Sequence, residues 1–269
     1  MLDKLLDPTQ LKTFNADGVV LIRGLFKDWV EPLQKGVEKN MRSPGPFGKV
    51  YTAGGEAGHF FGDYCNWQRI DEYRQFFFQS PAAQVCAELV GADSVRLFHE
   101  HVLVKEPGTA RKTPWHHDQP YYCVDGKQLC SLWIPLDAVA QSVCPEFIAG
   151  SHRWNKLFVP TRFSGVQYER QGQQLAVMPD IDSHRNDYDI KSWALEPGDC
   201  IAFHYLTVHG APENLSTERR RAFSARLMGD DAIYVERGGE VSPPFPGLDK
   251  KLKPGMPMDA EEFPVIYTH

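Results

Sequence analysis

In the first third of the chain, apolar positions recur at helical spacing; beyond residue 92 they come in short alternating runs. Asp7 and Pro8 open a short helix through Leu11 and Phe14, Gly18 ends it, and residues 19–26 read as a strand. A second helix is predicted from Val30, Leu33, Val37 and Met41, whose steps of 3, 4 and 4 make one buried stripe. Residues 43–66, rich in glycine, proline and aromatics, read as an irregular loop able to fold over a site. Helices are expected over 71–78 and from Ser80-Pro81, an N-cap with proline in the first turn, to about Gly91.

Strand-like runs follow at roughly 95–105, 115–118, 129–136, 146–149, 192–195, 200–209 and 219–228, divided by turns such as Glu106-Pro107-Gly108 and Pro197-Gly198-Asp199. Several short strands behind a few helices predict a mainly β fold with a helical buttress, a jelly roll or barrel. The polar, weakly periodic stretch 155–191 is the kind of insertion that forms a lid. The proline-rich segment 242–269 is expected to wrap the surface. One domain over 1–269 is expected, with a mostly helical part at 1–91, a β core at 92–230 and a wrapping tail at 231–269.

Composition narrows the function classes. The 269 residues are 42% hydrophobic and 24% charged, enough apolar content for a substantial core. A net charge of −6 and no long basic run argue against nucleic acid or anionic lipid as partner; Arg219, Arg220 and Arg221 form the densest basic cluster. No window approaches the roughly 18 apolar residues of a membrane span, and the opening residues lack an export pattern, so the cytoplasm is the expected location. Six cysteines, none in a C-x-x-C pair, are expected to be reduced thiols, and their spacing excludes a zinc ribbon.

The candidate chemistry begins at Trp115-His116-His117-Asp118. On an extended strand His116 and Asp118 project from one face and His117 from the other, a two-ligand grip on a metal. A third ligand has to come from elsewhere, and residues 198–210 offer two histidines, His204 and His209. Two histidines and one carboxylate leave coordination positions open, which suits non-haem Fe(II) and O₂ chemistry. An H-x-D triplet alone is common by chance, so context decides. Eleven residues past His209, Arg220 falls on the expected next strand, where a guanidinium can receive the distal carboxylate of a dicarboxylate. Arg219 and Arg221 are expected to face outward as solvated charges.

With these residues in place, the chain resembles the phytanoyl-CoA dioxygenase family of Fe(II)/2-oxoglutarate oxygenases from Gly18 to Met228. Five ordered patches carry the likeness: Gly18-Val19-Val20-Leu21-Ile22-Arg23-Gly24, Lys105-Glu106-Pro107-Gly108, Thr113-Pro114-Trp115-His116-His117-Asp118, Gly150-Ser151-His152-Arg153-Trp154, and Pro197-Gly198-Asp199 running through His209-Gly210 to Asn214, Ser216 and Arg220. The resemblance implies a double-stranded β-helix of cupin-like form, with Fe(II) on His116, Asp118 and His209, and His204 left as a core or supporting residue. It implies 2-oxoglutarate bound to iron and to Arg220, beside Thr113 and Trp133, the tryptophan reading equally well as a buried core residue, with O₂ as cosubstrate and ascorbate as reductant in vitro. It also implies hydroxylation with release of succinate and CO₂, because related halogenases replace the carboxylate ligand that Asp118 keeps here. One position departs from the pattern: Ala211 stands where the family has a serine that helps bind 2-oxoglutarate, and Ser224, of the same strand parity as Arg220, is the expected substitute.

Alternation puts His99, His101 and Lys105 on one face of a strand, where they can touch 2-oxoglutarate or an acidic substrate if that face is inward. Tyr121 and Tyr122 follow the ligand segment closely, and one of them is expected in the pocket. Phe60, Phe61, Tyr64 and Trp67 either enclose the substrate or belong to the core, and His152 and Arg153 are read as holding a turn. The substrate expected is a small anionic or zwitterionic compound, such as a phosphonate or an amino-acid derivative. A cupin-like hydrolase or isomerase, in which Arg220 binds substrate, and a non-catalytic jelly-roll binding protein are the competing classes. Consumption of 2-oxoglutarate separates them. The sequence does not fix the oligomeric state.

Overall fold

The computed structural model describes residues 4–52, 55, 57–162, 165–172 and 174–269. Four helices lead the chain: α1 (Pro8–Asp17), α2 (Val30–Arg42), α3 (Asp71–Gln79) and α4 (Ala82–Val90). Their ends follow from side-chain chemistry. The Asp7 carboxylate accepts from the Thr9 and Gln10 amides at 2.7 and 2.9 Å, Gln10 returns a bond to the Asp7 amide at 2.9 Å, and Gly18 closes α1 at φ 74°. At α4 Pro81 is the cap position, and Ser80 Oγ reaches past it to accept from the Ala82 amide at 3.2 Å.

The larger sheet has eight strands. Its order is β1 (Val19–Ile22), β10 (Cys200–His204), β7 (Leu129–Pro135), β12 (Arg220–Met228), β4 (Ser94–Lys105), β3 (Phe60–Tyr64) and β2 (Lys49–Val50), with β14 (Val265–Thr268) also on β4. The smaller sheet runs β5 (Thr113–His116), β11 (His209–Ala211), β8 (Glu146–Ile148) and β9 (Ile190–Lys191). A third ladder joins β13 (Ile233–Tyr234) to β6 (Val124–Asp125), and a short helix, α5 (Leu248–Lys251), lies in the tail. All ladders are antiparallel, the sheets stay open, and the architecture is a jelly roll with a helical buttress.

Strand alternation assigns the two faces of the large sheet. Val102 and Val104 of β4 and Phe223, Ala225 and Leu227 of β12 pack against Leu33, Val37, Phe76, Phe77 and Val85 of the helices. The opposite face looks into a cavity. The ladder between β12 and β4 shifts register between Arg226 and Leu227, and there the parity of β4 flips: His99 faces the cavity, whereas Leu97 joins the helical core. Val19, Trp133, Ile201, Phe203 and Ala222 of the large sheet meet Phe147 of the small one, which closes the sandwich at the cavity's base.

Several sequence expectations need correction. The run 200–209 is two strands, β10 and β11 in different sheets, because residues 205–208 turn between them. The strand expected at 115–118 ends at His116, and the one at 192–195 lies at Ile190–Lys191. The strand at 19–26 stops at Ile22. Within the loop read over 43–66 lie β2 and β3, whose ladder extends the large sheet; its residues 53, 54 and 56 lie outside the described ones. The tail does more than wrap: Leu248, Leu252, Met258 and Phe263 are buried in a second core with Phe98, Tyr122 and Tyr205. Arg219 and Arg221 are not free solvated charges; Arg219 pairs with Glu106 and Glu38, and Arg221 with Asp137 and Glu38.

Candidate metal centre and its cavity

His116 is the last residue of β5 and His209 the first of β11, and the ladder sets them directly opposite one another, ring centroids 4.2 Å apart. Asp118 arrives differently from the strand reading. Its backbone is helical (φ −70°, ψ −40°), it begins the turn Gln119–Tyr121, and its amide donates to the Tyr205 carbonyl at 2.8 Å. This turn brings the carboxylate back toward the strand it left. Asp118 Oδ1 lies 3.7 Å from His116 Nε2 and 3.9 Å from His209 Nε2, and one ligand atom from each residue lies within 4.8 Å of the others.

The two imidazoles are oriented for coordination. His116 Nδ1 meets the Pro114 carbonyl at 2.8 Å and His209 Nδ1 the Thr207 carbonyl at 2.9 Å. A carbonyl only accepts, so each Nδ1 carries the proton and each Nε2 keeps a lone pair for a metal. Burial, then the neighbouring His116, pushes His209 down to about 3, which keeps it neutral. Burial alone would raise the Asp118 carboxyl; the Arg226 charge beside it holds it well below the usual carboxylate range. Two imidazoles held by their Nδ1 bonds, an ionised carboxylate and open space beside them can hold a divalent metal with protein ligands on one side only.

The other histidines do other work. His204 Nε2 faces the Lys127 carbonyl at 2.9 Å, and its Nδ1 accepts from the Leu206 amide at 3.0 Å, away from the centre. His117 points the opposite way from its neighbours, and its Nε2 accepts from the Phe158 amide at 2.9 Å. His152 and Arg153 lie in the turn Ser151–Arg153, the His152 ring 5.8 Å from that of His204.

The centre opens into a cavity of about 490 Å³ that His99, His101, Lys105, Thr113, Tyr121, Tyr122, Trp133 and Arg220 all line. Lys105 and Arg220 are paired across the ladder, both nearly inaccessible at 2% and 6% exposure. Lys105 Nζ donates to the Pro212 carbonyl at 3.2 Å and sits 4.7 Å from the Phe60 ring centroid; Arg220 donates to the Val143 carbonyl. Burial, then the Arg220 charge, lowers Lys105 to about 6. Ala211 lies on the wall opposite Thr113. Ser224 is fully buried, and its Oγ accepts from Arg226. His99 is buried with Nδ1 against the Glu100 carbonyl at 3.1 Å; burial, then Arg226, keeps both His99 and His101 neutral. Of the aromatic group near residue 60, Phe60 and Tyr64 line the cavity, whereas Phe61 and Trp67 pack in the helical core.

Sequence reasoning missed Arg226. It is 5% exposed, its Nε lies 3.0 Å from Asp118 Oδ2 and donates to Tyr122 Oη at 3.0 Å, and Nη1 donates to Ser224. The available signal was parity: on β12, residue 226 shares a face with Arg220. The outer wall was also missed. It is built by Tyr51 from the region between β2 and β3, by Arg162 and Tyr168 from the long insertion, and by Glu240 and Ser242 from the tail, and no periodicity marks any of them. Arg162 pairs with Glu240 at 2.6 Å, and Tyr121 Oη accepts from the Thr161 amide at 2.8 Å and donates to its carbonyl at 2.7 Å. Residues 163, 164 and 173 of the expected lid lie outside the described ones.

Residues 14–222 match the family model described as phytanoyl-CoA dioxygenase (PhyH). A phytanoyl-CoA dioxygenase of Arabidopsis thaliana is 26% identical over 164 residues, 59% of this chain and 53% of the relative. The chain thus spans about half the length of this curated relative. The non-heme alpha-ketoglutarate-dependent carbocyclase SnoK from nogalamycin biosynthesis superposes with a TM-score of 0.75 at 23% identity, covering 98% of this chain and 97% of that one. The epimerase SnoN, solved with Fe³⁺, alpha-ketoglutarate and nogalamycin RO, gives 0.74 at 22% identity over 97% of this chain and 100% of that one. These two likenesses show the shared fold. Among the described residues no helix is long and apolar enough to cross a membrane.

Proposed function

The chain belongs to the phytanoyl-CoA dioxygenase family, and from that premise we propose that it is an iron(II)- and 2-oxoglutarate-dependent dioxygenase hydroxylating a small molecule. One observation carries the reading. Two imidazoles locked with Nε2 bare, and a carboxylate kept ionised, share a cavity with the buried basic side chains of Lys105 and Arg220. A metal site alone fits a hydrolase or isomerase; a metal site with a buried dicarboxylate receptor fits this cosubstrate.

His116, Asp118 and His209 would hold the iron, and Arg220 with Lys105 would take the distal carboxylate, Trp133 and Thr113 forming the adjoining walls. Iron with 2-oxoglutarate would supply the oxidising power, with O₂ consumed, succinate and CO₂ released, and ascorbate serving as reductant in vitro. The protein's share is to orient and to exclude water. The carbonyls of Pro114 and Thr207 fix the rings, and Tyr51, Tyr64 and Tyr168 wall the cavity on the substrate side. Lys49 adds positive charge to that wall, which favours an anionic or zwitterionic substrate such as a phosphonate or an amino-acid derivative. SnoN holds nogalamycin RO, so a small-molecule substrate suits this architecture. Six unpaired thiols, five of them buried, suit a reducing compartment such as the cytoplasm.

The test is anaerobic. Metal-free protein given Fe(II) and 2-oxoglutarate should develop the weak visible charge-transfer band of the chelate. His116→Ala should abolish it, and Arg220→Ala should need roughly tenfold more 2-oxoglutarate or above, since charged hydrogen bonds are lost. Metal binding with no band in the wild type would remove the oxygenase reading and favour the hydrolase or isomerase. With the band in hand, succinate release across small anions and zwitterions identifies the substrate; a response to large neutral apolar compounds only would overturn the proposed class.

A further inference from the structure

Asp118 uses its two carboxylate oxygens unequally. Oδ1 faces both histidine Nε2 atoms, at 3.7 and 3.9 Å. Oδ2 is turned away from them, accepting from Ser131 Oγ at 3.1 Å with Arg226 Nε 3.0 Å away. Ser131 and Arg226 are themselves partners: the ladder pairs β12 with β7 at that register, and His99 of β4 flanks Arg226 on its other side. All three side chains are buried, Ser131 completely.

Arg226 is also held in place from behind. Its Nε–H is directed at Tyr122 Oη, its Nη1 donates to Ser224 Oγ, and its guanidinium carbon lies 5.8 Å from the Phe203 ring centroid. The contact with Asp118 is therefore one of charge at a fixed distance, and Ser131 supplies the directed bond. A buried cation fixed by three neighbours needs an anion beside it, and Asp118 Oδ2 is that anion here.

We propose that Arg226, together with Ser131, is a positioning device for the metal: it engages Oδ2 so that Asp118 offers Oδ1 alone, leaving the remaining coordination positions to cosubstrate and oxygen. This rests on the oxygenase reading only in its last clause; the holding of Asp118 stands for any divalent ion. A carboxylate released from that hold can rotate out of line, or bring both oxygens to the ion and fill a position that 2-oxoglutarate requires. Partners that orient metal ligands typically contribute tenfold to a hundredfold to metal affinity, whereas a cation serving only to fill the sheet would contribute none.

The experiment titrates metal-free protein with Co(II), followed by its visible absorption and by calorimetry, in wild type, Arg226→Met, Arg226→Lys and Ser131→Ala. Arg226→Met should weaken Co(II) binding by roughly 10–100-fold and alter the absorption of the bound ion, while Ser131→Ala and Arg226→Lys should each lose less. Melting curves monitored by circular dichroism establish the folded fraction. Folded Arg226→Met that binds Co(II) as tightly as wild type, with the same spectrum, would overturn the proposal. If Arg226→Met does not fold, Ser131→Ala and Arg226→Lys decide the matter, and wild-type Co(II) affinity and spectrum in both would overturn it equally. Failure of the two readings looks different: Co(II) bound through Arg226-dependent geometry with no Fe(II)/2-oxoglutarate band removes the oxygenase and leaves the positioning role, whereas no Co(II) binding by wild type removes both.

Discussion

At the scale of single residues, Lys105 is where burial and function pull against each other. Burial and then the Arg220 charge lower its ammonium to about 6, so in the ligand-free protein it is mostly neutral at pH 7. A carboxylate placed against Arg220 and Lys105 favours the charged form, so binding has to take up a proton. The affinity for 2-oxoglutarate should therefore fall as pH rises above 6, by at most about tenfold per unit, and calorimetry in buffers of different ionisation enthalpy should register the uptake. Lys105→Met should bind more weakly and show neither the proton uptake nor that slope. The same wall offers a gain: Ala211→Ser restores a hydroxyl opposite Thr113, and one new hydrogen bond of about 1 kcal/mol should lower half-saturating 2-oxoglutarate several-fold in the charge-transfer titration. These residues were legible because strand alternation and motif spacing carry them. Arg226 was equally available by parity, but nothing in the sequence says that Asp118 lies within reach of it. That contact exists only because β12 and β7 pair in one register.

At the scale of elements, the most informative difference from the sequence reading is the segment after His116. The residue types in 115–118 fit a strand and a strand followed by a helical turn equally well, and tertiary contact chooses: the Tyr205 carbonyl takes the amides of Asp118 and Gln119 and bends the chain. The break in 200–209 has the same origin, since a run of apolar residues buried in either sheet looks continuous. The long insertion, weakly periodic in sequence, is tied to this turn and its approach by Tyr121 to Thr161, by Arg170 to the Pro120 carbonyl and by His117 to Phe158. Tyr121→Phe removes the acceptor of the Thr161 amide and the donor to its carbonyl. An amide left without its partner costs about 1–3 kcal/mol, so hydrogen exchange should speed up across residues 157–162, while Co(II) affinity stays at the wild-type level. Unchanged exchange there would mean that the aromatic contacts of Tyr121 with His116 and Tyr168 hold the insertion without the hydroxyl.

At the scale of the whole molecule, the fold class was readable from strand number and helix position, but the strand order was not, because β1-β10-β7-β12-β4 joins segments far apart in sequence. The tail shows what that costs a sequence reading. Its prolines suggested a surface strap, yet Phe263 is fully buried, its ring 5.5 Å from that of Phe98 and 4.9 Å from that of Phe245, and β14 pairs with the first part of β4 while β3 takes the last. The tail therefore completes the sheet that carries His99, His101 and Lys105, and Phe98, which abuts it, packs on Tyr122, whose hydroxyl accepts from Arg226. Phe263→Ala should cost about 3–5 kcal/mol, read as a lower denaturant midpoint, whereas truncating Met256, 43% exposed, should change stability by under about 0.5 kcal/mol. If the tail were only a strap, the two variants would unfold at the same midpoint.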